Sequence, residues 1–182
     1  MTQLYLVRHG QADYSPVTSR GWPGGASDLA PLTALGIEQA EMAAEALSGF
    51  GANYLLSSPM TRALQTAAVL GHRLALGVRV DFELREWLPD DTFGWTSHTE
   101  VKAAYDDLLA CGGEWPPGET RPWEPLSAVR ARTLHALHRH ATATDGPIVV
   151  VTHALVIQAL TGAADTPPGG TRWHAIDPIS DI

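Results

Sequence analysis

The sequence predicts an α/β fold with a largely parallel sheet. Short apolar runs at 3–7, 53–57, 76–82 and 148–152 alternate with stretches of helical periodicity, the pattern of strand–helix–strand units. The 182 residues suit a single domain spanning 1–182. A content of 45% apolar and 18% charged residues is that of a packed chain rather than a disordered one.

Each element has its own signal. Residues 3–7 form an apolar and aromatic strand that ends at Arg8-His9-Gly10. Residues 11–32 hold three Pro and three Gly and read as a long functional loop. Thr33 is an N-cap for a helix over 34–48, with Ile37, Ala40, Ala44 and Leu47 on its inner face. A strand at 53–57 leads to Ser58-Pro59, read as N-cap and first helical residue of a helix reaching His72. Alternation over 76–82 predicts a third strand. Ser97-x-x-Glu100 is a capping box that opens a helix to Ala110. Residues 112–125, with four Pro and three Gly, form a second loop, and Ser127 starts a helix to Ala141. Ile148–Thr152 is the strongest strand signal, followed by a short apolar helix over 155–161. The tail from Pro167 carries no clear pattern.

Charge narrows the function. Twelve basic residues, all Arg but Lys102, stand against 20 acidic ones, for a net charge of −8. Such a chain is unsuited to general nucleic-acid binding, which relies on neutralising phosphates. An anionic ligand must instead be met by a local Arg cluster, for which Arg8, Arg62 and Arg85 are candidates. One cysteine, Cys111, excludes a disulfide framework and Cys-based zinc sites. No apolar run reaches the ~20 residues of a membrane span, and the first residues read as a strand rather than a leader. A cytoplasmic location is the expectation.

Ligands of parallel sheets bind beyond the carboxyl ends of the strands. Arg8 and His9 follow the first strand, Ser57, Ser58 and Arg62 the second, Glu86 the third, and His153 the last. Two guanidiniums match phosphate oxygens, a neutral imidazole can attack phosphorus, and a protonated second imidazole can stabilise the transferring group. A carboxyl group can protonate a leaving alkoxide and then activate water. This set carries out two-step phosphoryl transfer without metal or cofactor. Each residue has a plainer reading: His9 a core histidine, Arg62 a surface ion pair, Glu86 a partner of Arg85. His135, His138 and His140 tempt a metal site but share a helix with three Arg, and read as a solvated face. Trp87 reads as a core-edge cap, while Trp95, Trp115 and Trp123 stay open between pocket and core. No P-loop, dinucleotide-binding or Gly-x-Ser-x-Gly pattern is present.

The ordered series Leu6-Val7-Arg8-His9-Gly10, Pro31-Leu32-Thr33-x-x-Gly36-x-x-Gln39-Ala40, Ser57-Ser58-Pro59-x-x-Arg62-Ala63-x-Gln65-Thr66-Ala67, Leu84-Arg85-Glu86, Pro117-Gly118-Glu119 and Val150-Val151-Thr152-His153 closely resembles the histidine phosphatase superfamily, the phosphoglycerate-mutase-like proteins. The resemblance runs from Leu4 to about Leu160. It implies a three-layer α/β/α sandwich, no metal, and a phosphohistidine intermediate on His9. Arg8, Arg62 and His153 would form the phosphate pocket and Glu86 the proton donor, with Gln11 and Ser58 as further substrate contacts. Three positions depart from the family pattern. Gln11-Ala12-Asp13 replaces the usual Glu-Thr and later Asn, Ala154 replaces a Gly, and Gly94-Trp95-Thr96-Ser97 lacks the usual Glu.

The expected activity is hydrolysis of a small phosphomonoester. A phosphoglycerate-mutase-type transferase is the alternative, because the mutases carry insertions that keep water from the phosphoenzyme. A phospho-ligand binding protein with weak catalysis and a metal hydrolase using His9 with Asp13 are the others. A phosphoprotein substrate stays open, since small phosphohistidine-protein phosphatases of the family share an Arg-His-Gly-x-Ala start.

Overall fold

Five consecutive β-branched residues, Ile148–Thr152, favour an extended chain, and they form strand β4 with every side chain buried. The computed structural model, which describes residues 1–177, sets β4 at the centre of a five-stranded sheet. The others are β1 (Thr2–Arg8), β2 (Tyr54–Ser57), β3 (Val78–Val80) and β5 (Thr171–Ile176), in the order β3-β2-β4-β1-β5. The first four are parallel to one another and β5 runs antiparallel on the β1 edge. Among the described residues six helices accompany them: α1 (Ser15–Thr18), α2 (Ala34–Leu47), α3 (Thr61–Leu74), α4 (His98–Ala110), α5 (Leu126–Ala141) and α6 (Ala154–Thr161).

Alternate strand residues face opposite sides of a sheet, and both sides are covered here. Val7, Leu55, Val149 and Val151 pack under α2 and α3, whose facing residues are mostly Ala. Leu4, Leu6, Leu56, Ile148 and Val150 pack under α4, α5 and α6. The result is the three-layer α/β/α sandwich.

Several local expectations shift. Helix α3 begins at Thr61 with Met60 as its cap, so Ser58-Pro59 precedes the helix rather than opening it. Ser58 does not cap because its hydroxyl is engaged elsewhere, 2.7 Å from His153. Ile37 lies 48% exposed, because α2 turns its small residues Gly36, Ala40, Ala43 and Ala44 inward. The third strand shrinks to three exposed edge residues, since Asp81 takes the Glu83 N–H and starts a 3-10 turn over Phe82–Leu84. The unreadable tail contains β5, whose mixed residues carry no apolar period. Other signals hold as read: Thr33 caps α2 by accepting from Gly36, and Ser97 caps α4 by accepting from Glu100. Glu100 reaches back to the Thr96 N–H, one residue outside the usual box.

Two glycines bind the end of β1 to the start of α2. A Cβ on Gly10 would lie 2.2 Å from the Gly36 carbonyl oxygen, and one on Gly36 would lie 2.2 Å from that of Gln11. Neither backbone has room to yield. Gly10→Ala or Gly36→Ala should therefore lower stability by about 1–3 kcal/mol or more, whereas Gly25→Ala, which meets nothing within 4 Å, should stay within about 0.5 kcal/mol. Thermal unfolding of the three variants checks this, and equal melting temperatures would refute the close-contact account.

Candidate active site

The strand register sets the two candidate imidazoles side by side. Arg8 pairs with Thr152 across β1 and β4, so the next residues, His9 and His153, leave adjacent strands together. Their ring centroids are 5.1 Å apart. The His9 N–H donates to the Thr152 carbonyl at 3.0 Å, which carries the pairing one residue past the strand. Ser58 likewise extends β2 by donating its N–H to Val151. Arg62 rises from the first turn of α3, and Glu86 follows the 3-10 turn after β3.

His9 is held by both ring nitrogens. Nδ1–H donates to the Gly10 carbonyl at 2.7 Å, so Nε2 carries the lone pair. The Arg62 Nε–H meets that lone pair at 3.2 Å. Burial, then the charge of Arg62 and further that of Arg8, hold the ring's pKa down at about 3. His9 is therefore a neutral imidazole with its nucleophilic nitrogen toward the cations. The plainer reading of a core histidine fails, because the ring lines a cavity of about 730 Å³.

His153 is fully buried, and burial, with Arg62 and His9 nearby, pushes its pKa well below the usual value. It is neutral, so the role open to a second imidazole if protonated does not apply to it. Its Nε2 sits 2.7 Å from Ser58 Oγ, and that hydroxyl accepts the Met60 N–H at 3.3 Å. Ser58 thus has its own O–H free to donate to Nε2, which leaves the proton of His153 on Nδ1. That Nδ1 has no hydrogen-bond partner among the described residues and lies 4.0 Å from Glu86 Oε2. Ser58 stands behind His153 rather than at the cavity surface.

Glu86 lines the cavity and accepts the Trp87 N–H on Oε1 at 2.9 Å. Removal from water raises its pKa, against the pull of that N–H and of Arg62 and Arg8. Arg85 is not its partner. Arg85 turns to Glu83 at 2.7 Å and Glu124 at 3.9 Å and does not join the anion site. Arg8 lines the cavity, anchors Nη1 on the Thr166 carbonyl at 2.8 Å, and leaves a buried Nε without a partner among the described residues. A buried guanidinium N–H without a partner is costly and fits an anionic ligand.

Other expected residues fall elsewhere. Gln11 is not brought to the cavity: its side chain accepts from Thr33 Oγ1 at 2.9 Å, and its N–H goes to Gln39. Asp13 accepts the Ser15 N–H. Among the described residues no group of three or more His, Cys, Asp or Glu could hold a metal ion. His140 is not simply solvated, because it bridges Tyr54 and Asp81, each at 2.9 Å. Trp123 is a core residue, Trp115 packs against that core, and Trp95 lines the cavity. Trp87 does both, buried in the core with one side on the cavity. The sequence reading missed Tyr14, Trp22 and Asp28 of the cavity wall, which lie in a loop without periodicity.

The remaining motif residues hold up the site. Thr66 Oγ1 accepts the Gly10 N–H and donates to the Arg62 carbonyl, and Gln65 accepts the Leu32 N–H at 2.6 Å. The model of the histidine phosphatase superfamily, branch 1, matches residues 4–180. The chain belongs to this superfamily. It is 36% identical over 174 residues to the glucosyl-3-phosphoglycerate phosphatase of Mycolicibacterium vanbaalenii, covering 88% of this chain and 73% of that protein. A solved mycobacterial glucosyl-3-phosphoglycerate phosphatase in complex with VO3 superposes with a TM-score of 0.69 at 28% identity, covering 96% and 97% of the two chains. A probable phosphoglycerate mutase of Proteus mirabilis is 40% identical, but over 86 residues, 47% of this chain and 38% of that protein. This member of the superfamily is a phosphatase, a phosphoric monoester hydrolase. Among the described residues no helix is long and apolar enough to cross a membrane.

Because His9 protonates in the unfolded chain near 6.5 but in the fold only at about 3, the unfolded state binds more protons between those values. Stability should therefore fall as pH drops through that window. In His9→Gln the fall should be shallower, measured by denaturant unfolding from pH 7 to 4. An unchanged slope would refute the neutral assignment.

Proposed function

We propose that the chain, acting as one domain, hydrolyses a small phosphomonoester through a phosphohistidine at His9 Nε2. The observation that carries this is the double hold on His9: a proton fixed on Nδ1 by Gly10 and a lone pair on Nε2 facing Arg62. Arg62 and Arg8 bind the phosphate oxygens as charged forks. As those oxygens draw the Arg62 N–H, the lone pair is freed for attack. His153 donates its Nδ1–H to the same group, oriented by Ser58. The P–O ester bond breaks as the P–N bond forms, and protonated Glu86 gives its proton to the leaving alkoxide. In the second step the Glu86 carboxylate takes a proton from water. The resulting hydroxide displaces His9 from phosphorus, and inorganic phosphate leaves.

Hydrolysis is favoured over transfer to a second phosphoglycerate because the extended matches, unlike the mutase one, are to phosphatases. The partner is thus a small phosphate ester. A cytoplasmic setting agrees with the free thiol of Cys111.

Acid-quenched incubation with a radiolabelled phosphate ester should label wild-type protein and leave His9→Ala unlabelled, with kcat/KM down by at least about a thousandfold. A label that persists in His9→Ala would overturn the reading. Glu86→Gln should lose about a hundredfold to ten-thousandfold. The pH profile follows from the two shifts. Attack needs neutral His9, available above about 3, and the acid needs protonated Glu86, available below a pKa raised from 4.5. kcat/KM should be bell-shaped with its optimum on the acid side, and Glu86→Gln should remove the falling limb. A wild-type rate that does not fall as pH rises past neutrality would refute the pair of roles.

A further inference from the structure

The leaving-group end of the cavity is walled by two segments. One contains α1 and a 3-10 turn over Gly24–Leu29, and the other runs from Trp87 to Val101. They meet where Gly24 lies against the Trp95 indole so closely that a Cβ would fall 1.8 Å from the ring. The surface between them is aromatic, with Tyr14, Trp22, Trp87 and Trp95, and carries hydroxyls from Thr18 and Thr96.

The charges of this wall are one-sided. Arg8 and Arg62 belong to the phosphate position. Beyond them, among the described residues, His98 is the one lining side chain that can carry a positive charge, and it is exposed. Arg20, next in sequence to this wall, directs a guanidinium N–H to the Pro16 carbonyl and stacks over Trp22 at 5.3 Å instead. Against these stands Asp28, partly buried in the lining, with no side-chain hydrogen bond to any described residue; burial raises its pKa, and the nearby charge of Arg62 works against that and favours the carboxylate. Two guanidiniums balance one phosphate dianion. Apart from exposed His98, no lining side chain among the described residues remains to balance a second anionic group on the substrate, and the Asp28 carboxylate repels one.

We infer that the leaving group is an uncharged polyhydroxylated ring, as in a sugar phosphate, and that Asp28 excludes substrates carrying a carboxylate. This rests on the proposed phosphatase reading and deepens it. A carboxylate accepts hydrogen bonds and donates none, so Asp28 binds sugar hydroxyls as firmly as it rejects a second carboxylate. Indole faces present flat apolar surface suited to the C–H face of a pyranose. The repulsive element is what sets specificity. The substrate named for the mycobacterial relatives carries a glycerate carboxylate, so this chain departs from them at the leaving group.

Four substrates test this with the purified full chain: glucose 6-phosphate, glycerol 3-phosphate, 3-phosphoglycerate and benzyl phosphate. Glycerol 3-phosphate and 3-phosphoglycerate differ by a hydroxymethyl in place of a carboxylate. The expected kcat/KM ratio of that pair is at least about tenfold in favour of glycerol 3-phosphate, the effect of one like-charge contact across a partly wet cavity. Asp28→Asn should bring the ratio close to one and weaken glucose 6-phosphate. Trp95→Ala should raise KM for glucose 6-phosphate more than for glycerol 3-phosphate. Equal rates on the pair in wild-type protein, or a ratio unmoved in Asp28→Asn, overturn the inference. Benzyl phosphate exceeding glucose 6-phosphate tenfold overturns its hydroxylated part. If Asp28→Asn does not fold, the wild-type ratio still decides. Turnover that survives His9→Ala means the phosphatase mechanism has failed. A His9 label with 3-phosphoglycerate as best substrate means only this inference has failed.

Discussion

A neutral imidazole held beside two guanidiniums is the constraint on which the rest of the molecule depends. A histidine near 6.5 is partly charged in neutral water, and a charged ring has no lone pair to offer. Burial and the nearby charges of Arg62 and Arg8 all oppose protonation of His9. The same two cations are what a phosphate oxygen seeks. One arrangement therefore keeps the His9 imidazole neutral and, in the proposed mechanism, draws the phosphorus to it. The arrangement needs a backbone fixed within tenths of an ångström after β1. The Gly10–Gly36 contact, the Thr66 hydroxyl under Gly10 and the Gln39 amide on Gln11 supply that. The motif residues that never touch the cavity act through this support.

Low polarity moves acids and bases in opposite directions, and the site uses both movements. Burial favours the protonated form of Glu86 and the unprotonated forms of His9 and His153. These are the states the proposed first step consumes. The cations limit the effect on Glu86, since Arg62 and Arg8 pull its pKa back down. In the proposed mechanism this balance lets Glu86 give a proton once and act as base afterwards. His153, deeper, has no hydrogen-bond partner on Nδ1 among the described residues while Ser58 occupies its other nitrogen.

Much of this was legible in the residues. Arg8-His9-Gly10 after an apolar run and His153 after five β-branched residues mark strand ends, and strand ends converge. Thr33 and Ser97 cap the helices that their local chemistry announces. The errors share a cause, which is competition from distant residues. Ser58 looked like a cap until His153, 95 residues away, claimed its hydroxyl. Arg85 sat beside Glu86 in sequence, yet Glu124 and Glu83 hold it. Ile37 fitted a helical face, but α2 approaches α3 through alanines and turns the larger residue out. β5 exists because β1 has an open edge, and nothing in Thr171–Ile176 itself records that. Tyr14, Trp22 and Asp28 lie in a loop whose position depends on an indole packed on Gly24.

Chemistry and selection therefore rest on different kinds of structure. His9, His153 and Ser58 ride on paired strands, where register fixes their separation and a relative with the same strands inherits the same distances. The residues facing the leaving group ride on connecting segments, which vary with little cost to the sheet. A similarity of 36% over 174 residues is thus compatible with the same strand-end geometry and a different surface beyond it. Asp28 stands on such a segment, joined to the other wall by the Gly24–Trp95 contact. A single carboxylate there can alter which ester is accepted without disturbing His9, because it acts on the part of the substrate that departs and not on phosphorus.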